Sequence, residues 1–561
     1  MNAIRDLGLC CAGILAAVLL LRAESRPAAS PTPAVHSQHT DGATPAPSRH
    51  VGEVNFATSC TAEAASSIET AVALLHSFQY EEARQAFTHA TKEDPKCATA
   101  YWGLAMSRFE TLWEFPNRET LQHGLEDAQQ AQKLSAGTSD GEKISERERG
   151  YIAAAVAFYR NDPKLTHEQR LRAYSAALDQ LCKQFPGDVN AAAFYALTLC
   201  ALTDYENGAD KKTADTKEAI AILKQLCEEA PNNPGPAHYL IHAADSPEFA
   251  DQGLGAARAY AKIAPDSSHA LHMPSHIFVR LGLWQEAVDS NIAAAAAAEK
   301  AINEHRGEAH YQFHALDFLH YSYLQNGQEA KAREVLEQVK RVPGTDHETI
   351  EDHLGYMTAR TALELHRWKE AAALSIPDVQ RAYQESTYRV RAIGAARSGD
   401  AKSARKDLKK FEELYAALRK ESSEKGYKQK KDKSVGELEA EAWVQYAEGK
   451  SEQALKTMRA AAEKEGSDVD SLAIPAREML GDLLVELKRP TEALTEYKAA
   501  LKESPNRFDS LYGAAHSAQL AGNSSTAHSY FAKLMEVCAA SADRLELTEA
   551  KSYLTTASNR R

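Results

Sequence analysis

An all-α solenoid of helix–turn–helix hairpins is the fold class this sequence predicts, and three observations predict it. Residues recur at a spacing of 34: His238 and His272, His242 and His276, Pro231 and Pro265. A helical hairpin is about that long, and it buries its apolar face only by stacking on its neighbours. Small and aromatic residues return at fixed places, as Ala71, Leu74, Ala83, Phe87, Ala90, Pro95 and again as Gly481, Leu484, Ala493, Tyr497, Ala500, Pro505. Finally, no segment alternates apolar and polar residues over a useful length, so no strand is predicted.

The chain divides by composition. Its 561 residues, 44% hydrophobic and 25% charged, suffice for one long array with a large core. A net charge of −13 and a pI near 5.9 leave no basic footprint, which excludes nucleic acid as the main partner. Residues 1–25 read as a signal peptide: Arg5, an apolar run from Leu7 to Leu21, then small residues Ala23 and Ser25. That run is shorter than the roughly 20 residues a membrane helix needs. Cleavage is the reading adopted over an uncleaved anchor, although Arg22 stands beside the site. No later segment is apolar enough to span a bilayer, so the protein is expected outside the cytoplasm, in the periplasm, at the cell surface or secreted. Residues 26–55, rich in Pro, Ala, Ser and Thr, read as a disordered tether.

Residues 56–421 then form an N-terminal and central array, 422–434 a Lys-rich exposed loop, and 435–561 a C-terminal array. Small residues let paired helices approach, an aromatic fills the gap against the next unit, and Pro ends the second helix. The middle is less regular. Asn207–Thr216 lengthens one hairpin, and about 11 residues are inserted before His310, because Gly282/Ala287 recur as Gly327/Ala332. The Ala-rich stretch NIAAAAAAEKAI reads as scaffold without chemistry. Six cysteines follow the signal peptide, with no CxxC pair among them. Cys60 and Cys97 flank the first hairpin and are the expected disulfide, while Cys182 and Cys227 are expected as buried thiols.

Four repeats match slot for slot, and over most of its mature length the chain resembles the tetratricopeptide repeat superfamily. The stretches TSCTAEAASSIETAVALLHSF and HALHMPSHIFVRLGLW also resemble a group of exported bacterial repeat proteins. The resemblance implies a right-handed superhelix whose first helices line a concave groove that holds a protein or peptide ligand. On the groove-facing slots stand His76, Trp102, His269, His314, Asp317, Tyr321, His353, Tyr356 and Arg360. His320 falls on a slot that packs between helices.

Nine of the 21 histidines lie between His238 and His320. Imidazoles four apart share a helix face and can share a metal ion, which makes His238, His242, His272 and His276 the candidate metal ligands for zinc, copper or iron. Structural hydrogen bonding and pH-dependent ligand contact are the other readings of the cluster. Pro274 either starts a helix near Met273 or kinks one there. No HExxH, GxSxG or phosphate-binding loop is present, so no catalytic residue is assigned. Metal-assisted chemistry with Asp317 or Asp245 as base is the form an enzyme would take. Binding a protein or peptide partner is the function expected; a His-ligated metal-binding protein, or a metal-dependent hydrolase or oxidase, is the alternative.

Overall fold

The computed structural model describes residues 49–558, apart from short stretches at 110–111, 113–114, 137–143, 206–208, 377–380, 425–431 and 467–471. The stretch read as a signal peptide, most of the expected tether and about half of the expected Lys-rich loop lie outside the described residues. Twelve helical hairpins and a last helix, Glu546–Ser558, follow one another among the described residues, with no strand.

Only the first helix of each hairpin is numbered here. The first five are α1 (Ala62–His76), α2 (Ala98–Ser107), α3 (Glu146–Tyr159), α4 (Val189–Leu202) and α5 (Pro234–Ala244). A broken first helix follows, α6 (Ser268–His272) with α7 (Pro274–Arg280), then α8 (Ala309–Gln325) and α9 (His347–Glu364). The last four are α10 (Arg381–Arg397), α11 (Val435–Ala447), α12 (Ala476–Glu486) and α13 (Phe508–Leu520). Side-chain caps start many of them: Ser145 with Glu148 boxes α3, Asp188 caps α4, and Ser434 with Glu437 boxes α11.

The small-and-aromatic pattern works through close approach. Phe87, fully buried on the second helix of the first hairpin, lies on Gly103 of α2, where a Cβ would stand 2.1 Å from its ring. Tyr497 is likewise clamped between Gly481 of α12 and Gly513 of α13. Burial of each such ring stabilises the stack by about 1.5–3 kcal/mol. Cys60 and Cys97 are joined by a disulfide across the first hairpin.

The solenoid turns tightly enough to close on itself, which the repeat pattern does not show. His76 at the end of α1 meets Asn190 of α4 and Tyr239 of α5 at 2.9 and 3.0 Å, from 114 and 163 residues away. Later, Arg507 before α13 reaches Tyr321 of α8, Glu364 of α9 and Glu478 of α12. The turns also touch each other: Tyr311 donates to Phe78 O at 2.5 Å, and the Trp284 indole to Asn506 O at 2.8 Å.

Residues 49–55, read in sequence as the end of a disordered tether, are an ordered extended strap. The strap continues to Ser59 and crosses the starts of successive first helices. His50 N donates to Asp266, Glu53 N to Asn232 O, Asn190 to Asn55 O, and Arg147 to Ala57 O. Its own Val51, Val54 and Phe56 are buried against the helices, with Phe56 stacked on Trp102 at 5.2 Å. These three apolar anchors follow no helical or strand period, so composition alone hid them.

One buried acid on α10, beside Glu437 of α11, gives a pH signature. Burial pushes the Glu385 carboxyl up to about 8, against the pull of Arg389 and with the push of Glu437. Folded Glu385 therefore keeps a proton that the unfolded chain loses above the ordinary value of 4.5. Stability from this group is expected to fall as pH rises from 4.5 to about 8. Urea midpoints at about pH 5 and about pH 8.5 should show a shallower decline in Glu385→Gln than in the parent; equal declines would contradict the assignment.

Candidate metal centre

The histidines are positioned by α5 to α8. Asn233 caps α5 by accepting from Gly235 N at 3.0 Å, and Pro234 takes the first position, where no amide donor is needed. His238 and His242 then share one face. Ser267 caps α6, which carries His269 and His272 for a single turn. Pro274 cannot continue the hydrogen-bond ladder, so the helix restarts as α7 with His276. His314 comes from α8.

These six side chains form two triads, His238/His242/His269 and His272/His276/His314. Within each, the three ligand atoms all lie within 4.8 Å of one another. His238 Nε2 is 3.1 Å from both His242 Nε2 and His269 Nε2, and His272 Nε2 is 3.1 Å from His276 Nε2. Two nitrogens bound to one tetrahedral ion at 2.0–2.1 Å stand about 3.3 Å apart, and two cis nitrogens on an octahedral ion about 2.9 Å. One member of each triad is fully buried and two are half-buried. Each triad packs on one phenylalanine: Phe78 touches all three rings of the first, Phe318 all three of the second.

The far side of the rings decides where the protons are. His238 Nδ1 donates to His76 O at 2.6 Å, because a carbonyl can only accept. His276 Nδ1 donates to the Asp245 carboxylate at 2.9 Å. His272 Nδ1 donates to Asn291 Oδ1 at 2.7 Å, and the Asn291 amide is oriented by its own donation to Ala287 O at 2.8 Å. In the neutral ring each of these three therefore turns a lone pair, not a proton, towards its triad. Burial, reinforced by the neighbouring imidazoles, pushes His242 and His314 down to about 3 and His238, His269 and His272 well below the usual histidine value. These rings are neutral at pH 7. Between His272 and His276, two neutral rings would set two lone pairs facing each other at 3.1 Å.

The four histidines singled out for metal binding thus divide between two sites, and His269 and His314, assigned to the groove, stand as the third member of each. The other groove assignments are corrected by closure of the superhelix. Trp102 is buried against Phe56. His76 is fully buried, hydrogen-bonded by both ring nitrogens, and pushed down to about 4 chiefly by burial. His353 is stacked flat on Phe313 at 4.1 Å. Tyr321 is buried and its hydroxyl accepts from Arg507 at 2.8 Å. Asp317 and Arg360 form a buried ion pair at 2.7 Å, with the guanidinium 4.5 Å from the Tyr356 ring. Of this group only Tyr356 is half-exposed. His320 packs between helices, bonded to Thr361 at 2.9 Å.

Neither carboxylate named as a base is free. Asp317 is held by Arg360. Asp245 accepts from Arg280 at 2.8 Å and from His276; burial raises its carboxyl, but Arg280 and His276 outweigh that and hold it well below the carboxylate range. Asp245 is a positioning residue. Sequence reasoning missed Asn291, Phe78 and the His76 carbonyl. Asn291 is the first residue of the Ala-rich stretch read as inert, and a lone polar residue heading that stretch was the one available signal.

No family model matches the chain, and no curated protein matches it. Among solved structures it is similar to a monomeric IFIT1 mutant with Gppp-AAAA, at 14% identity and a TM-score of 0.35, over 83% of this chain and 95% of that one. It is also similar to a chain of the APC/C hetero-tetramer Cut9-Hcn1, at 12% identity and a TM-score of 0.36, over 74% and 77%. Likeness at this level carries no argument about function.

Proposed function

We propose that this chain is an exported helical-repeat metalloprotein that holds two transition-metal ions, one at each histidine triad. The observation that carries the reading is the pair His272 and His276. Their Nδ1 hydrogens are committed to Asn291 and Asp245, so two neutral rings would aim their Nε2 lone pairs at one point from 3.1 Å apart, the spacing of two nitrogens on one metal ion. In the first triad His238 Nδ1 is committed to the His76 carbonyl, and its Nε2 faces those of His242 and His269 at 3.1 Å. Imidazole-only ligands suit zinc, copper or iron rather than calcium or magnesium. Three protein ligands leave a coordination position open, as metal-dependent hydrolases and oxidases require. Metal binding at the interior replaces peptide binding there, since the groove-facing side chains are largely spent on one another. The Cys60–Cys97 disulfide and the apolar N-terminal run support export.

The test is elemental analysis of the chain purified from Arg26 onward without a His tag. About two ions of zinc, copper or iron per chain are expected. A protein that stays empty after incubation with each of the three overturns the reading.

A further inference from the structure

The two triads are successive copies of one device. His238 and His272 are 34 residues apart, as are His242 and His276, and each triad takes its third member from the following hairpin, His269 and then His314. The copies adjoin. His269 and His272 share the single turn of α6 with ring centroids 6.3 Å apart, and His242 and His276 approach to 6.4 Å across the boundary. An ion held by one triad would therefore be a close neighbour of an ion held by the other.

Charge says what that ligand is. All six side chains in the triads are imidazoles, which bring no negative charge. The two nearby carboxylates are balanced already, Asp245 by Arg280 and Asp317 by Arg360. Two divalent ions would therefore carry their full charge into a largely buried site, where uncompensated charge is costly. An anion from solvent, bound between the ions, lowers the net charge, screens the two ions from each other and fills both open positions.

We propose that the triads form one two-ion centre that binds a small monoanion, of hydroxide or azide size, shared between the ions. The inference rests on the metal-binding reading above. A hydroxide so placed is the nucleophile that metal-assisted hydrolysis needs.

The test uses the full mature chain loaded with Cu(II), followed by electron paramagnetic resonance and azide titration. Two coppers per chain are expected, with most of the mononuclear signal lost to coupling and one azide bound per copper pair. His314→Ala and His242→Ala, each disrupting one triad, should hold one copper and regain its full mononuclear signal. Two coppers with full uncoupled intensity and one azide per copper would overturn the shared centre but leave metal binding intact. A parent chain that takes up one copper overturns the centre as well. A chain that retains no copper overturns the shared centre, and one that also refuses zinc and iron overturns the metal-binding reading with it.

Discussion

Arg507→Ala is expected to cost the folded protein about 3–5 kcal/mol, because it strands two buried carboxylates. The Arg507 side chain is fully buried. Its Nε and one terminal nitrogen bond Glu478 at 2.8 and 3.0 Å, the same nitrogen bonds Glu364 at 2.8 Å, and the other bonds the Tyr321 hydroxyl at 2.8 Å. One guanidinium thereby ties α8, α9 and α12 to the hairpin that begins with α13. Burial already pushes the Glu478 carboxyl up to about 7, with Arg507 opposing that rise. Without Arg507 the carboxylates must take up protons or unfold the turn. Urea denaturation followed by circular dichroism should show the loss, with amide exchange accelerating first over Phe508–Leu520. A variant within about 1 kcal/mol of the parent would contradict this role. Replacing Arg507, Glu364 and Glu478 together by apolar residues of similar volume should recover much of the stability.

If each triad holds an ion as proposed, His272→Ala is expected to remove one of the two outright and leave the other. His272 is the buried member of its triad, while the His238 triad keeps its nitrogens and its His76 carbonyl. Asp245→Asn is expected to weaken the same ion by about 10–100-fold without touching the ligands, since it frees the His276 ring to turn. His353→Ala serves as the control. Its ring is stacked on Phe313, so the variant should keep both ions while losing some stability. Isothermal titration with zinc distinguishes the three. Equal loss of zinc in all of them, including His353→Ala, would mean the binding reflects general folding rather than the triads.

The hairpins were legible because local rules write them. A 34-residue period, small residues at close approaches and an aromatic at each joint need nothing beyond neighbouring units. His238/His242 and His272/His276 were legible for the same reason, being one helical turn apart. The third member of each triad was not: His269 and His314 join from the next hairpin, and which slot meets which is set by the pitch of the superhelix. That pitch also decides that His76 meets Tyr239 from 163 residues away and that the interior closes where a groove was expected. The protons on the ring nitrogens depend on Asn291, Asp245 and the His76 carbonyl, contacts made by side chains and backbone with no motif to mark them. Val51, Val54 and Phe56 were hidden differently, since an extended strap has no period to detect.

The most direct measurement is anomalous diffraction from crystals of the metal-loaded chain, recorded above and below the metal absorption edge. Two peaks are predicted, one about 2.0–2.1 Å from the three nitrogens of His238, His242 and His269, the other equally placed among His272, His276 and His314. Peaks confined to exposed histidines such as His89 or His123, or triads without any peak in saturating metal, would contradict the account.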